Sequence, residues 1–309
     1  MWVFEEKIQM NSVVAVVVTY NRKELLQECI ENLLISDTKC DILVINNHSI
    51  DGTEEYIRTY IENNQIRYYD TGSNLGGAGG FQYGMRKAVE LGYEFVWVMD
   101  DDCMVHRDSL TELIDAHKTL NKGKNPDYGF LSSKVLWKDG HICEMNVQRY
   151  PLTKNIQDFS PVLVPTYLAS FVSLFIPTAI IREVGLPIKE FFIWSDDWEY
   201  TRRISRKYPC FVVTKSQVTH KSASNIGAKI ENDTPERLDR YRYLYRNDVY
   251  LYRREGIKGF IYEIGRLAAH CLRVLLKSKG NRTKKIKIII GSTIEGLSFN
   301  PPIEFVEDK

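Results

Sequence analysis

Short apolar runs alternate with helical patterns over the first hundred residues of the chain. The runs occupy residues 13–18, 42–45, 66–69 and 95–99, and the helical patterns occupy residues 23–35, 53–63 and the stretch from the glycine run at 76–80 to residue 91. Apart from Arg67, the runs consist of apolar and aromatic residues, as parallel strands covered on both faces do. This β-α-β-α-β-α-β order predicts an α/β fold with a doubly wound, mostly parallel sheet, and ligands beyond the carboxyl ends of the strands.

The first predicted helix carries one apolar stripe. The stripe consists of three pairs of neighbours four residues apart, namely Leu25 and Leu26, Cys29 and Ile30, and Leu33 and Leu34. Such spacing places the pairs on one face of a helix, and we expect that face to lie on the sheet.

The second half of the chain has a different rhythm. Shorter strand-like runs, broken by Pro and Gly, follow at residues 128–137, 142–150, 171–177 and 211–214. A helix is predicted near residues 197–206, and this half is expected to add a mixed sheet to the first. From Thr234 onward the pattern is helical and basic. We therefore divide the chain into a domain at 1–230 and a C-terminal basic helical region at 231–309.

Composition limits the partners and the compartment. The 309 residues are 44% hydrophobic, and 41 Lys and Arg balance 40 Asp and Glu, so global charge predicts no nucleic-acid partner. The six cysteines lack the CxxC spacing of zinc sites, which favours reduced thiols. The N-terminal MWVFEEKIQM has no long apolar run, so we expect neither a signal peptide nor a membrane span there. A cytoplasmic location follows as an expectation.

The basic C-terminal helices allow two interpretations. Between Lys258 and Lys287 there are nine Lys or Arg and one acidic residue, Glu263. Charged and polar residues such as Arg266 and Arg273 interrupt the apolar run, so a transmembrane helix is not predicted. The helix could lie peripherally on an anionic membrane at the inner face of the cell membrane. Alternatively, it packs on its own domain with a solvated basic face.

Three consecutive aspartates, Asp100, Asp101 and Asp102, follow the strand-like run FVWVM. Adjacent carboxylates repel one another unless a cation lies between them, and oxygen ligands on a short loop suit Mg²⁺ or Mn²⁺. Such a metal keeps coordination positions for substrate phosphates, so the pattern predicts leaving-group catalysis on a diphosphate. An acidic loop that caps the next helix is the simpler alternative.

A second acidic cluster contains Asp196, Asp197 and Glu199 between Trp194 and Trp198. Carboxylates beside indole rings can have a raised pKa, which suits a general base. In the alternative interpretation one Asp caps a helix, and Glu199 pairs with Arg203 at the surface. His220 ends another strand-like run, where an ordinary hydrogen-bonded histidine is the default expectation.

The order of these motifs resembles that of family 2 glycosyltransferases of the GT-A fold. The matching stretches are VVTYNRKELL (17–26), INNHSIDGT (45–53), NLGGAGGF (74–81), VMDDDC (98–103) and WSDDWEY (194–200), followed by His220. The glycine stretch followed by MDDD is similar to bacterial galactofuranosyltransferases and rhamnosyltransferase-like enzymes. The resemblance implies a nucleotide-sugar donor, inversion at the anomeric carbon, and Mn²⁺ or Mg²⁺ on the donor diphosphate.

Positions carried over from the resemblance give a set of expected site residues. Asp197 is the expected general base, and Trp194, Asp196 and Trp198 line the acceptor pocket. Asp100, Asp102 and His220 are the expected metal ligands. The expected donor-binding residues are Thr19, Tyr20, Asn21, Asn47, Asp51, Asn74, Gly76, Gly77, Gly80, Asp100 and Asp101.

Two further implications concern the nucleoside pocket and the acceptor site. Asn46 and Asn47 stand where many relatives carry Asp at one or both positions, which leaves uridine and thymidine both open as the donor nucleoside. Arg246 and Asn247 are expected in a C-terminal helix that closes over the acceptor site.

The resemblance therefore implies transfer of galactofuranose from UDP-galactofuranose to a glycan or lipid-linked glycan in bacterial cell-surface polysaccharide synthesis. One alternative is a rhamnosyltransferase that uses dTDP-rhamnose. A non-enzymatic alternative is a module that binds nucleotide sugar or glycan on the same scaffold, although a binder has no need of a base opposite a metal. A nucleotidyltransferase would release pyrophosphate instead.

Overall fold

The computed structural model describes residues 12–121, 123 and 126–307, so the N-terminal segment MWVFEEKIQM lies outside the described residues. The first half contains the predicted alternation. Its elements are β1 (Val13–Thr19), α1 (Lys23–Leu34), β2 (Asp41–Asn46), α2 (Thr53–Tyr56), α3 (Arg58–Glu62), β3 (Arg67–Asp70), α4 (Gly76–Glu90) and β4 (Phe95–Asp100). The helix predicted at residues 53–63 is two short helices, because Ile57 leaves helical geometry at φ −102° and ψ 8°.

The second half adds short strands and further helices. Its elements are β5 (Cys103–Val105), α5 (Ser109–Leu120), β6 (Leu131–Trp137), β7 (Leu163–Pro165), β8 (Leu174–Pro177), α6 (Thr178–Val184), α7 (Asp196–Ser205) and β9 (Phe211–His220). The C-terminal helices are α8 (Tyr241–Arg253), α9 (Gly256–Lys277) and α10 (Arg282–Ser298). Single 3₁₀ turns lie at Glu144–Asn146 and Lys189–Phe191, and a longer one at Pro235–Arg240.

The strands form one mixed sheet in the order β3-β2-β1-β4-β8-β6-β9-β5, with β7 also paired to β9. The first four strands are parallel, and β8 is antiparallel to both β4 and β6. From β1 the chain continues to β2 and β3 on one side, and β4 lies on the other side of β1. The carboxyl ends of β1 and β4 therefore form the topological switch point of the sheet. The predicted parallel sheet with a mixed extension is confirmed.

Alternate residues of β1 enter two separate cores, as a strand covered on both faces requires. Val13, Ala15 and Val17 pack in a cluster with the predicted apolar stripe of α1. Val14, Val16 and Val18 pack on the other face with residues of α4, α6 and α7. A third cluster joins α8, α9 and α10.

The predicted strand at residues 142–150 is wrong. The segment contains the 3₁₀ turn Glu144–Asn146, and its backbone makes isolated bridges instead of a continuous ladder. Side chains hold it: Gln148 Nε2 donates to Ser132 Oγ at 2.9 Å, and Asn146 Nδ2 donates to Ser170 Oγ at 3.0 Å. Inward polar side chains thus take the place of strand pairing.

The glycine run begins α4 because the helix lies close to β1, β2 and the turn before α7. A Cβ on Gly80 would lie 2.5 Å from Val18 Cγ1, and one on Gly84 would lie 2.4 Å from Val16 Cγ1. Gly76 has φ +70°, and a Cβ there would lie 2.1 Å from the carbonyl oxygen of Phe192. Close helix packing therefore requires these glycines.

Replacing Gly84 by Ala is expected to lower the free energy of unfolding by about 1–3 kcal/mol, because the added methyl overpacks the interface between α4 and the sheet. The matched control is Gly291→Ala in α10, where an added Cβ would meet nothing within 4 Å. The control should stabilise the protein by about 0.5–1 kcal/mol, since Ala favours a helix over Gly. Urea denaturation measures both, and equal effects of the two variants would contradict the packing role.

Candidate active site

The register of three strands aligns the predicted motifs at one edge of the sheet. Thr19 at the end of β1 pairs with Asn46 at the end of β2, and Val18 pairs with Asp100 at the end of β4. On the other side, Cys103 of β5 pairs with His220 at the end of β9. The carboxyl ends of the parallel strands β1, β2 and β4, together with the antiparallel pairing of β5 and β9, therefore bring motifs from distant parts of the chain together.

Asp100, Asp102 and His220 form a compact cluster. One ligand atom from each lies within 4.8 Å of those of the other two, and Asp102 and His220 are buried. His220 Nε2 lies 3.0 Å from Asp102 Oδ1, and His220 Nδ1 lies 2.8 Å from Asn146 Oδ1. The hydrogen bond to Asn146 fixes the ring so that Nε2 faces the carboxylates.

Asp101 has its own contacts beside this cluster and shares Arg22 with Asp102. Its carboxylate accepts a 2.8 Å hydrogen bond from Thr19 Oγ1 and one of 3.2 Å from Arg22 Nη1. The same Arg22 nitrogen lies 2.7 Å from Asp102 Oδ2. Asp101 and Thr19 thus tie the ends of β4 and β1 together, and Arg22 bridges two of the three aspartates.

The charges in the cluster are strongly coupled. Burial alone would lower the pKa of His220, but the hydrogen bond to Asp102 and the charges of Asp102 and Asp100 raise it to about 10. Burial opposes ionisation of Asp102, yet His220 and Arg22 together lower its pKa. Burial and the charge of Asp102 raise the pKa of Asp100 to about 6. The cluster therefore pairs the Asp102 carboxylate with the imidazolium of His220.

This set of donor atoms fits a hard divalent cation. Two carboxylates and an imidazole are ligands that Mn²⁺ and Mg²⁺ accept, and three protein ligands leave positions for phosphate oxygens. The cation would replace the His220 proton, since a ligating imidazole is neutral. The partly exposed Asp100 lies on the open side of the cluster.

The residues expected around the nucleoside lie in the loops after β1 and β2. Asn21 Oδ1 accepts from Ile50 N at 2.8 Å, and Asp51 Oδ1 accepts from Thr53 N at 3.2 Å. Asn47 is buried, its Nδ2 donates to the Gly76 carbonyl oxygen at 3.0 Å, and its Oδ1 has no partner among the described residues. Tyr20 is exposed beside them. The structure brings the four together, with Asn21 and Asp51 engaged in shaping the loops.

The expected donor-binding residues of the glycine stretch divide into two groups. Asn74 is exposed, and its Oδ1 accepts from Gly76 N at 2.9 Å. Gly76 and Gly80 are buried, whereas a Cβ on Gly77 would meet nothing within 4 Å. Packing therefore accounts for Gly76 and Gly80, and of these three glycines Gly77 faces open space.

The second acidic cluster opens α7 after an unusual backbone segment. Phe192, Trp194 and Ser195 have φ values of 63°, 66° and 64°. Each left-handed non-glycine residue costs about 1–3 kcal/mol and persists only where the surroundings impose it. Ser195 occupies the N-cap position of α7, and its hydroxyl donates to Asp248 Oδ1 at 2.5 Å. A run of strained residues thus leads directly into Asp196 and Asp197.

Burial raises the pKa of both carboxylates at this helix end. Asp196 reaches about 7, and the pKa of Asp197 lies well above its ordinary value because of burial first and the Asp196 charge second. The charge of Asp100 also raises the pKa of both residues. One chain segment also links the two acidic clusters, because Asn146 contacts His220 and Arg149 contacts Trp198.

The aromatic residues of this wall pack on basic and aromatic partners. The Arg149 guanidinium lies 4.0 Å from the ring centre of Trp198, and Trp194 packs on Tyr241 with ring centres 5.1 Å apart. Glu199 and Arg203 form the predicted pair at 2.8 Å, but the pair is buried rather than at the surface. The pair is covered because α7 packs on the face of the sheet that carries Val14, Val16 and Val18.

Four residues of the site are absent from the sequence-based set. They are Arg22, Asn146, Arg149 and Asp248. Arg22 stands inside the motif VVTYNRKELL, so its place beside the aspartates had a local signal. The other three lie far along the chain from the residues they contact, and no local pattern marks them.

Comparisons with known proteins agree with this geometry. Residues 14–174, just over half of the chain, match the model of Glycosyl transferase family 2. The chain is 24% identical over 270 residues to galactofuranosyltransferase GlfT1 of Mycolicibacterium smegmatis, an alignment that covers 81% of this chain and 85% of that protein.

Two solved structures have the same fold. TarS 1-349 of S. aureus, solved with UDP-GlcNAc, gives a TM-score of 0.52 at 14% identity over 93% of this chain and 73% of that one. The mannosyltransferase PcManGT of Pyrobaculum calidifontis, solved with GDP-Man and Mn²⁺, gives 0.55 at 16% identity over 94% and 88%. These likenesses confirm the predicted fold class, GT-A with C-terminal helices.

Proposed function

The chain belongs to glycosyl transferase family 2, and from this premise we propose that it transfers galactofuranose from UDP-galactofuranose to a hydroxyl of a glycan or lipid-linked glycan, with inversion. The observation that carries the proposal is the presence of two acidic clusters linked by the segment 146–149, one suited to a metal and one to a base. The choice of sugar is supported by the likeness to the galactofuranosyltransferase of M. smegmatis.

The acceptor side of the reaction belongs to Asp197 in this proposal. Its carboxylate takes the proton of the acceptor hydroxyl, whose oxygen attacks the anomeric carbon while the bond to the diphosphate breaks. Burial and the neighbouring Asp196 raise the pKa of Asp197, which makes the carboxylate a stronger base. Trp194 and Trp198 line the approach, and Arg149 holds the Trp198 ring.

In this proposal the donor binds at the carboxyl ends of β1 and β4. Asp100, Asp102 and His220 would hold a divalent cation, which when bound neutralises the departing diphosphate. Arg22 adds a positive charge at the same edge, and its guanidinium is half-exposed. Tyr20, Asn21, Asn47 and Asp51 line the proposed nucleoside pocket. Positioning and charge neutralisation then supply most of the rate enhancement.

A transfer assay tests the proposal. The purified protein with Mn²⁺ is given UDP-galactofuranose, dTDP-rhamnose or UDP-GlcNAc, each with and without a panel of octyl glycosides. We expect release of UDP from UDP-galactofuranose that depends on the acceptor, together with a product heavier by one hexose. Acceptor-dependent release of dTDP alone would replace the donor by dTDP-rhamnose, and pyrophosphate release would contradict sugar transfer.

We also propose that the C-terminal region 231–309 completes the acceptor site and that α9 contacts an anionic membrane. No helix in the described part of the chain has the length and apolar character to cross a bilayer. The ionisable residues Glu263 and Arg266 of α9 point inward, whereas its outer face is apolar. That face consists of Ile257, Ile261, Ile264, Leu272, Leu275 and Leu276, with Ile257 80% and Leu276 70% exposed.

This exposed stripe argues against the alternative of a solvated basic face. An apolar stripe flanked by Lys258, Lys277 and Lys279 matches the interior and headgroups of an anionic membrane. Sedimentation with phosphatidylglycerol vesicles should retain the protein, whereas phosphatidylcholine vesicles and an Ile261→Ser, Leu276→Ser variant should retain less. Dimerisation through this face without vesicle binding would instead identify a second copy as its partner.

A further inference from the structure

Helix α8 holds the strained segment before α7 through buried polar side chains. Asn247, which is 0% exposed, donates through Nδ2 to the carbonyl oxygens of Phe191, Ile193 and Trp194 at 3.0, 3.3 and 2.9 Å. One amide group thus contacts three carbonyl oxygens of an irregular backbone. Beyond the 3₁₀ turn at Lys189–Phe191, the segment lacks a regular hydrogen-bond pattern that would impose this shape by itself.

Asp248 holds the end of the same segment. It is 2% exposed, and its Oδ1 accepts the hydrogen bond from Ser195 Oγ while its Oδ2 lies 2.7 Å from Arg266 Nη2. Arg266 in turn pairs with Glu263 at 2.7 Å, both on α9. A helix N-cap hydroxyl ordinarily accepts from the first amides of its own helix. Here the hydroxyl donates to α8 instead, so the start of α7 is fixed by a contact from outside it.

We propose that Asn247 and Asp248 are positioning residues that set the orientation of the Asp196 and Asp197 carboxylates toward the acceptor. The inference rests on the proposed role of Asp197 as the base. Asp196 follows Ser195 directly, so the backbone angles of Trp194 and Ser195 determine where both carboxylates lie. Catalytic groups need placement within about 0.5 Å, which left-handed residues keep only under outside restraint.

The metal cluster has no share in this restraint from α8, whereas the glycine stretch contacts the start of the same segment, where Ala78 N donates to the Phe192 carbonyl oxygen at 3.2 Å. Asp102 and His220 are held by Arg22, Asn146 and each other, and none of these contacts involves α8. The α8 contacts therefore act on the segment before α7 and not on Asp102 or His220. Loss of the Ser195 to Asp248 contact should reduce turnover without reducing the affinity for UDP.

Two single variants and their combination test the proposal. Ser195→Gly removes the hydroxyl while easing the left-handed backbone, so it should not unfold the protein. Asp248→Asn alters the partner of that hydroxyl. The matched control is Asp239→Asn, because Asp239 Oδ1 lies 3.7 Å from Lys284 Nζ on α10, a contact in the same region that involves neither the segment before α7 nor a residue packed on it.

We expect both single variants to lower kcat by about 10–100-fold in UDP release from UDP-galactofuranose with the active octyl glycoside. The melting-temperature shift given by UDP and Mn²⁺ should stay at the wild-type value, and the double variant should be no slower than the slower single variant. Unchanged kcat, or additive losses in the double variant, would overturn the proposal. Equal losses of UDP binding and kcat would do so as well.

Hydrogen exchange decides the point independently of turnover. With UDP and Mn²⁺ present, amides of residues 191–198 should exchange faster in Ser195→Gly and Asp248→Asn than in wild type and Asp239→Asn, while amides of β4 should not change. Equal protection in all four proteins would contradict the proposal that α8 holds residues 191–198 in place. If wild-type protein turns over no donor, or Asp197→Asn stays fully active, the proposed function fails and the exchange result still judges the α8 contacts.

Discussion

Replacing Asp197 by Asn is expected to lower transfer by about 10²–10⁴-fold, the range for loss of a general base. Asn has nearly the shape of Asp but cannot take the proton of the acceptor hydroxyl. Asp197 Oδ1 accepts a 2.7 Å hydrogen bond from Trp198 N, a contact that the Asn side-chain oxygen can keep. The measurement is acceptor-dependent release of UDP from UDP-galactofuranose.

Donor binding supplies the control for this variant. The melting-temperature shift given by UDP and Mn²⁺ should match that of wild type, because a ligand that binds the native state stabilises it according to its affinity. Burial raises the pKa of Asp197, so removing a buried charge should not destabilise the fold. An Asp197→Asn protein with full turnover would remove the assignment of the base.

Replacing Asp102 by Ala is expected to abolish the Mn²⁺-dependent part of UDP binding. Asp102 links the two basic side chains at this site, since it contacts His220 through Oδ1 and Arg22 through Oδ2. Its loss leaves one carboxylate and an imidazole, and we expect Mn²⁺ affinity to fall by at least about 100-fold, the upper end of effects seen for residues that merely support metal ligands. Thermal shift by UDP with Mn²⁺ and with EDTA measures the change.

Two comparisons make the Asp102 result specific. Asp102→Asn keeps the shape and an oxygen ligand, so it should retain more Mn²⁺-dependent binding than Asp102→Ala. Asp115→Ala removes an exposed aspartate on α5 that pairs with Lys118, and it should behave as wild type. A UDP shift that is equal with Mn²⁺ and EDTA in the wild-type protein would show that the cluster holds no catalytic metal.

Much of the first half of the fold was predictable from local pattern. Continuous apolar runs became β1, β2 and β4, and the run at 66–69 became the partly exposed β3. The stripe of α1 lies in the core because periodicity alone determines which face of an element is apolar. The short strands β5 and β7 escaped prediction, since three residues carry too little pattern. Residues 142–150 were mistaken for a strand because Cys143, Asn146 and Gln148 are buried by side-chain bonds that composition does not reveal.

The motifs of the site were visible in the sequence, but their mutual contacts were not. Thr19 and Asp100 end strands and Asp102 follows one, so their place at the carboxyl edge follows from topology. The pairing of His220 with Asp102, however, depends on the register of β5 with β9. The roles of these residues in donor and metal binding stay predictions until the assays above are done.

By itself, the sequence determined the order of elements in the first half, the parallel strands and the two acidic clusters, because these depend on residues that are neighbours in the chain. The tertiary structure alone decided that Asp101 binds Thr19 and Arg22 and that the glycines of α4 pack on β1. It also decided that Asn247 and Asp248 hold the segment before Asp196. Packing and register set such contacts between residues more than fifty positions apart, and no local pattern encodes them.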